Sequence, residues 1–551
     1  MFEGLGGPRI TYRDAAGLVA SGLSRLENER LEAGDRVLFL LDETVPLALG
    51  LLVCGYARLL MLPISPIFSD EHVRMLVTQC GARAVVTSPA LTERAGHLGL
   101  PVLTCAHWLT ARWNGGSTPD ADNGDKEPLF AREHVTDALA PLLACAGVEL
   151  DAPFIIQPTS GSTGVPKLVV RTHRALARYA AYIGDEVLRI IPMSPRMLAI
   201  NALTHAFAAH MFAVAMRIRA TLLLPTHLDF HCTLAEVQSL DPTILPMTPR
   251  VLSSLLAQHA KVTDGQSLLG ASARLLLSAG GGLAPAVVKR VQDEGVEVIE
   301  FYGSSEASLI SYARQGAHRP GSVGLPAADV EFRRTPKGEL LVRSPGLMAG
   351  YYGDSEMTDL TYTEDGYLRT GDMAEVDADG FLHVLGRRRD VFSTPEGTNI
   401  FPERLEVGLE ACQDFDQVIL VGDGKPYLTV HIAVRGDGLA ADRSGFLDPT
   451  QHAELYAHAA QLLEDFNLHH EAIEGVVAFA LYGSRFPTEV YRPISAGKFS
   501  KDRPEFLRRF APHIALLYGD LDRNSAHFVP PGERRFSRRL ALVERPQSPT
   551  R

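Results

Sequence analysis

Gln157-Pro158-Thr159-Ser160-Gly161-Ser162-Thr163-Gly164-Val165-Pro166-Lys167-Leu168-Val169-Val170-Arg171-Thr172-His173 is the stretch on which the reading of this chain turns. The apolar run at 152–156 just before it reads as a strand, and helical character begins at Ala175, so the segment between is expected to be a strand-to-helix loop. Its composition suits a polyphosphate. Glycines let the backbone approach an anion, hydroxyls and successive N–H groups donate to phosphate oxygens, and a lysine adds a positive charge on a flexible stem. The spacing does not match the GxxxxGK[ST] pattern of ordinary P-loops.

Working outward, the 551 residues are enough for two or more domains with sizeable cores. A hydrophobic content of 46% is that of a globular protein, and a net charge of -12 speaks against nucleic-acid or anionic-membrane partners, which need a basic surface. A small-molecule enzyme fits better. Cys54, Cys80, Cys105, Cys145, Cys232 and Cys412 lie far apart without a CxxC pair or a His/Cys cluster, so neither a disulfide framework nor a structural zinc is expected. They read as buried thiols in a reducing compartment. The start lacks a basic segment followed by an apolar core, which implies a cytoplasmic protein. The run at 45–57 is apolar or glycine but too short to span a bilayer, so a buried helix is expected there.

Strand-like and helical segments alternate up to about Ser88, the pattern of a parallel sheet covered by helices. The stretch 113–126 is polar, with turn chemistry, and reads as a surface excursion. Further on, a strand at 275–278 runs into Ala279-Gly280-Gly281-Gly282, and another at 298–301 into Tyr302-Gly303-Ser304-Ser305-Glu306. Ligands of open α/β sheets bind beyond the carboxyl ends of strands, so these two ends mark a crevice. A glutamate there can offer carboxylate oxygen to a hard cation. Asp365-Gly366 and Asp379-Gly380 read as hairpin turns on either side of Arg369-Thr370-Gly371-Asp372.

From Thr11 to about Lys501 these motifs, in this order, resemble the adenylate-forming superfamily of acyl-CoA ligases, aryl-acid adenylating enzymes, peptide-synthetase adenylation domains and luciferases. The resemblance implies an α/β fold. A large N-terminal domain (1–387) would hold two doubly wound α/β subdomains and a small β subdomain containing 321–326, 338–343 and 348–352. A smaller, mobile α+β C-terminal domain (388–551) would follow, with a tail after about 510 in which Arg534, Arg535, Arg538 and Arg539 form a basic cluster. The family usually has a few dozen residues ahead of the segment matching Thr11, which leaves its first strands open here or implies a trimmed start.

Residue roles carry over from the resemblance in the same way. Thr159, Ser160, Gly161, Ser162, Thr163, Gly164 and Lys167 would hold the pyrophosphate portion of ATP, and Thr163 with Glu306 would hold Mg2+. Gly281 and Tyr302 would border the adenine, while Asp372 and Arg387 would contact the ribose. His205 would lie beside the substrate carboxylate, with Ala206, Gly280, Gly282 and Ser304 lining the acyl pocket. Arg389 falls at the hinge position, and Lys498, in Pro493-Ile494-Ser495-Ala496-Gly497-Lys498-Phe499, matches the catalytic lysine.

Ala206 can neither pair an ammonium, as an Asp does in amino-acid-activating members, nor serve as the Asn of members that use ortho-hydroxylated aryl acids. An uncharged acyl pocket is therefore implied. The expected reaction is ATP-dependent activation of a small-molecule carboxylic acid to acyl-AMP, then transfer to a thiol of coenzyme A or of a carrier-protein phosphopantetheine. The loop Ser393-Thr394-Pro395-Glu396-Gly397-Thr398 departs from the family's paired glycines. It keeps open an amine acceptor or a small oxyanion substrate such as nitrite. A non-catalytic nucleotide-binding regulator is the alternative from another class.

Overall fold

The computed structural model describes residues 2–4, 9–41, 43–105, 149–159, 167–228, 231–259, 269–393, 399–410, 412, 414–435, 439, 441–442, 444–470, 474–495 and 498–519. The stretch 113–126, Cys145, most of the glycine-rich loop (160–166), the loop at 394–398 and the basic cluster after 533 lie outside them. The described residues divide into two compact units. The first runs to Thr370 and includes Val376–His383; the second takes Gly371–Glu375 and most of the chain from Val384 onward.

Among the described residues of the first unit, one sheet orders its seven strands Gly350–Tyr351, Lys167–Thr172, Pro153–Thr159, Leu60–Ile64, Arg36–Leu40, Ala84–Thr87 and Val102–Thr104. The pairings from Pro153–Thr159 to Val102–Thr104 are parallel, and the two strands at the other edge are antiparallel. Parallel strands covered on both faces need apolar side chains on both. Val37, Leu38, Phe39 and Leu40 accordingly have no exposure. The helix Thr44–Ala57, expected from its apolar run, lies close against this sheet: a Cβ on Gly50 would come within 2.2 Å of the Phe39 ring. Arg58, in left-handed conformation, ends it.

A second sheet of the same unit has nine strands among the described residues, with Arg196–Leu198, Thr221–Leu224, Ile244–Met247, Leu275–Ser278 and Glu297–Ser304 as its parallel body. At the start of the chain, where the sequence leaves strands open, Phe2–Gly4 and Arg9–Ile10 are strands at one edge. Phe2 and Ile10 bury their side chains in the core, which is what fixes this short hairpin-like edge. Leu325–Pro326 closes the opposite edge through Ser308–Tyr312, while Glu331–Arg334 and Glu339–Arg343 pair with each other.

The second unit has its own core. Phe415–Val421, Leu428–Val434 and Val476–Tyr482 form a sheet packed by the helices Pro402–Glu410 and Ala453–Leu468 through Leu405, Val430, Leu463 and Phe479. The helices Arg503–Arg509 and Ala511–Tyr518 cover another face through Phe506 and Leu517. Tyr491–Ser495 and Lys498–Lys501 form a short two-stranded sheet.

The glycine-rich segment corrects one expectation. It does not pass directly from strand to helix. Pro153–Thr159 and Lys167–Thr172 are antiparallel partners, with Thr159 opposite Lys167, and the helix His173–Ile190 starts only afterwards. Leu168, Val169 and Val170 are buried apolar residues, two of them β-branched, and this run makes a strand of what first reads as loop. Thr172 then caps the helix, its hydroxyl accepting from Ala175 N.

Candidate active site

The two ends of the glycine-rich loop are fixed by the hairpin: Thr159 Oγ1 donates to Lys167 O at 3.3 Å. On Lys167–Thr172, alternation places Lys167, Val169 and Arg171 on one face. Tyr351 sits opposite Val169 in the neighbouring strand, so its ring is within diagonal reach of both charged residues. The Lys167 ammonium stands 5.0 Å from the ring centroid of Tyr351, and the Tyr351 hydroxyl donates to Glu306 Oε1 at 3.2 Å. Lys167 and Glu306 are thus gathered around one phenol. Tyr351 looks purely structural in the sequence, and nothing in its surroundings there marks it otherwise.

Glu306 follows the strand Glu297–Ser304, and its carbonyl accepts from Met348 N at 2.7 Å, which ties this turn to the segment leading to Tyr351. The turn requires glycine at 303: a Cβ there would fall 1.8 Å from Ser308 O. Ser304 Oγ accepts from Ala307 N at 3.0 Å. One strand away, Gly280, Gly281 and Gly282 follow Leu275–Ser278, Gly280 with φ at +87°. A Cβ on Gly282 would meet nothing within 4 Å, so that turn borders open space. Buried Glu300 tethers it, accepting from Leu283 N at 2.9 Å and pairing with His318 Nε2 at 2.8 Å.

His205 is the N-cap residue of the helix Ala206–Arg217, and Ala206 is its first residue. The loop before it is fixed from the other sheet, since Gln157 Nε2 donates to Thr204 O at 2.6 Å. This helix and the strand Lys167–Thr172 meet at Arg171, whose Nη2 donates to His210 Nε2. Burial, opposed in part by Tyr179 and Glu306, lowers the Arg171 guanidinium to about 10. His210 lies well below its ordinary value because of burial and the Arg171 charge, so its imidazole is neutral. Sequence reading passes over both residues, although an arginine inside an apolar strand is a visible signal.

In the second unit, Asp372 and Arg387 form an ion pair with Nε to Oδ1 at 3.0 Å, the Asp372 side chain being 7% exposed and that of Arg387 41%. Arg389 is mostly exposed and, among the described residues, pairs with Asp390 at 3.8 Å. Lys498 is the first residue of the strand Lys498–Lys501. The other end of that strand is anchored: Lys501 Nζ lies 2.9 Å from both Glu406 Oε2 and Glu410 Oε1. Buried Glu406 also accepts from Arg503 at 2.7 and 2.8 Å and from Leu420 N at 2.7 Å. Burial alone would raise the Glu406 carboxyl, but Arg503 and Lys501 outweigh it and hold it below the usual range. Lys501 is therefore committed to structure by these two carboxylates.

Cys54, Cys80, Cys105 and Cys232 are buried thiols and Cys412 is half-buried. Among the described residues no helix is long and apolar enough to cross a membrane, and no cluster of His, Cys, Asp or Glu could by itself hold a metal.

The chain is 27% identical over 428 residues to a feruloyl-CoA synthase of an Amycolatopsis species, covering 74% of this chain and 80% of the relative. Its fold is similar to that of ATP-bound MatB from Rhodopseudomonas palustris, with a TM-score of 0.69 at 19% identity over 92% of this chain and 95% of the other. It is also similar to that of the anthranilate CoA ligase AuaEII in complex with anthranoyl-AMP, with a TM-score of 0.72 at 17% identity over 94% and 95%. The family model described as AMP-binding enzyme matches residues 4–352, well over half of the sequence, and the chain belongs to that family.

Proposed function

We propose that this protein is an AMP-forming acid ligase: it activates a small carboxylic acid with ATP to give acyl-AMP and pyrophosphate, then transfers the acyl group to a thiol. The observation that carries the reading is the gathering of Lys167 and Glu306 about Tyr351 beside the fixed ends of the glycine-rich loop, in a chain whose family is AMP-binding. The reaction needs charge control more than a base. Acid and polyphosphate are both anionic, and charge builds on phosphate oxygens as the acid oxygen attacks the α-phosphorus. Lys167, Thr159 and the loop hydroxyls and amides of Ser160, Ser162 and Thr163 hold the departing pyrophosphate. Asp372 accepts from the ribose hydroxyls while Arg387 steadies its carboxylate. Lys498 stabilises the charge that builds on the oxygens during attack.

A divalent cation fits the residues present. Glu306 is half-buried, and one of its oxygens accepts from a phenol that also carries the phosphate-side lysine. Carboxylate oxygen is the donor that Mg2+ prefers. When bound, Mg2+ supplies Lewis-acid stabilisation of the phosphate oxygens. Thr163 is the second residue proposed to hold it.

His205 and Ala206, at the start of their helix, face the acid, with Gly280, Gly282 and Ser304 as pocket walls and Gly281 and Tyr302 on the adenine side. The second reaction follows a turn of the C-terminal domain (388–551) about Arg389. Coenzyme A or a phosphopantetheine carrier is the proposed acceptor, supported by relatives described as CoA synthases and ligases. The proposed setting is the cytoplasm, in keeping with cysteines that are thiols. A second reading, an amine acceptor or a small oxyanion substrate, rests on the proline and single glycine at 393–398.

The test is acid-dependent pyrophosphate release from MgATP across aryl, short-chain and long-chain acids, with nitrite included, followed by product analysis with CoA, a carrier protein and amines. Release with one acid class and a thioester product is the expected result. Binding of ATP with no release from any acid or oxyanion would refute the reading in favour of a regulatory protein.

A further inference from the structure

Arg171 is 1% exposed, and of its guanidinium nitrogens Nε and Nη1 make no hydrogen bond to the described residues. A charge so placed is expensive to bury without a role. Three observations describe its surroundings. It shares a strand face with Lys167, four residues along, a rise of about 13 Å. Glu306 supplies the opposing carboxylate charge. Its remaining donor, Nη2, goes to His210.

His210 is 4% exposed. It stacks on Tyr179 with centroids 3.9 Å apart, lies 3.2 Å from Ser308 Oγ through Nε2, and bonds to the backbone of Ala206. Ala206 and its N-cap His205 are the start of the helix that faces the acid in the proposed reaction. The side chain of Arg171 thereby joins the strand of the phosphate lysine to the start of the acyl-pocket helix.

We propose that Arg171 is a positioning residue with two separable actions: its fixed positive charge beneath the phosphate site favours the polyphosphate, and its hydrogen bond to His210 sets the helix start that orients the acid. The proposal rests on the reading of the protein as an acid-activating ligase. The first action needs only charge, which is little screened at 1% exposure. The second needs the directed N–H of a guanidinium reaching an imidazole acceptor.

The two actions predict different responses to substitution. Arg171→Lys keeps the charge and loses the fork, so MgATP affinity stays within about threefold while the KM for the acid rises about tenfold. Arg171→Met loses both, and the MgATP Kd also rises about tenfold. His210→Phe raises the acid KM alone, whereas His210→Gln, whose amide oxygen can accept from Arg171, stays near wild type. The MgATP Kd is read by calorimetry without acid, and the acid KM by pyrophosphate release.

Thermal midpoints identify any variant that fails to fold; if Arg171→Met does, Arg171→Lys and His210→Phe still separate the two actions. Equal loss of MgATP and acid affinity in Arg171→Lys, or a wild-type acid KM in folded His210→Phe, would overturn the proposal. Wild-type protein that binds MgATP but activates no acid would overturn the functional reading and, with it, the second action. The Kd of Arg171→Met would then decide the first on its own.

Discussion

Glu406→Gln changes one atom of a buried carboxylate and should loosen the whole second unit. Glu406 has no exposure, and both its oxygens are used twice, Oε1 by Arg503 and Leu420 N and Oε2 by Arg503 and Lys501, all between 2.7 and 2.9 Å. An amide at this place turns an NH2 toward donors on one side and leaves Arg503 and Lys501 without their shared negative charge. Removing one partner of a buried ion pair costs about 3–5 kcal/mol. Lys501 keeps Glu410 at 2.9 Å, so the lower end, about 3 kcal/mol, is expected.

That is a factor of roughly 150 in the opening equilibrium. Hydrogen–deuterium exchange of the full-length protein reads it directly, as faster exchange in peptides from Phe415–Val421 and Leu428–Val434 with peptides from Arg36–Leu40 as the control. Because the folded carboxyl titrates below its unfolded value of about 4.3, its contribution is present above that pH and fades as pH falls through the folded value. The gap between wild type and variant should therefore hold from pH 7 to 5 and shrink below. A change under about fivefold at pH 7 would refute the view that this network carries the unit.

Other consequences are open to measurement. Lys498→Ala should slow acyl-AMP formation by about two orders of magnitude while sparing the use of supplied acyl-AMP; equal loss in both half-reactions would argue against its role. Asp372→Ala should raise the KM for ATP about tenfold with little effect on the acid, seen in steady-state pyrophosphate release. Gly303→Ala places a methyl 1.8 Å from Ser308 O, so the thermal midpoint should fall by an amount equivalent to about 1–3 kcal/mol and ATP use should fall with it. His210, held well below its ordinary value by burial and by Arg171, takes up its proton more readily unfolded than folded. Stability should thus decline as pH drops below about 6.5, and His210→Gln should flatten that decline in thermal scans.

Much of the first unit is legible from local pattern. The buried run 45–57 announces its helix, and the strands ending at Ser278 and Ser304 announce themselves by apolar runs followed by glycine. The hairpin of the glycine-rich segment is not legible, because Leu168 to Val170 are too few to separate a strand from the start of an apolar helix. Nor are the edge strands at the start, whose reason is the distant core that takes up Phe2 and Ile10.

Among the candidate residues, Glu306, Asp372 and Lys167 stand out because their chemistry is local to their motifs. Tyr351, His210 and Arg171 do not stand out in this way. Their partners lie far along the chain, at Glu306 for Tyr351 and at His210 for Arg171. Lys501 is alike in this. Its partners are the distant carboxylates of Glu406 and Glu410, which no local pattern around it announces.

The pairing of Thr159 with Lys167 has a consequence for how such a protein can change over time. Both flanking strands are locked by buried side chains, and a slip of one residue would turn every side chain of Lys167–Thr172 to the wrong face. Lys167 and Arg171 therefore keep their stations through the register of the flanking strands. If the span between those strands holds an anion, as proposed, its preference can change with the residue types there while the charges on Lys167–Thr172 stay where the register puts them.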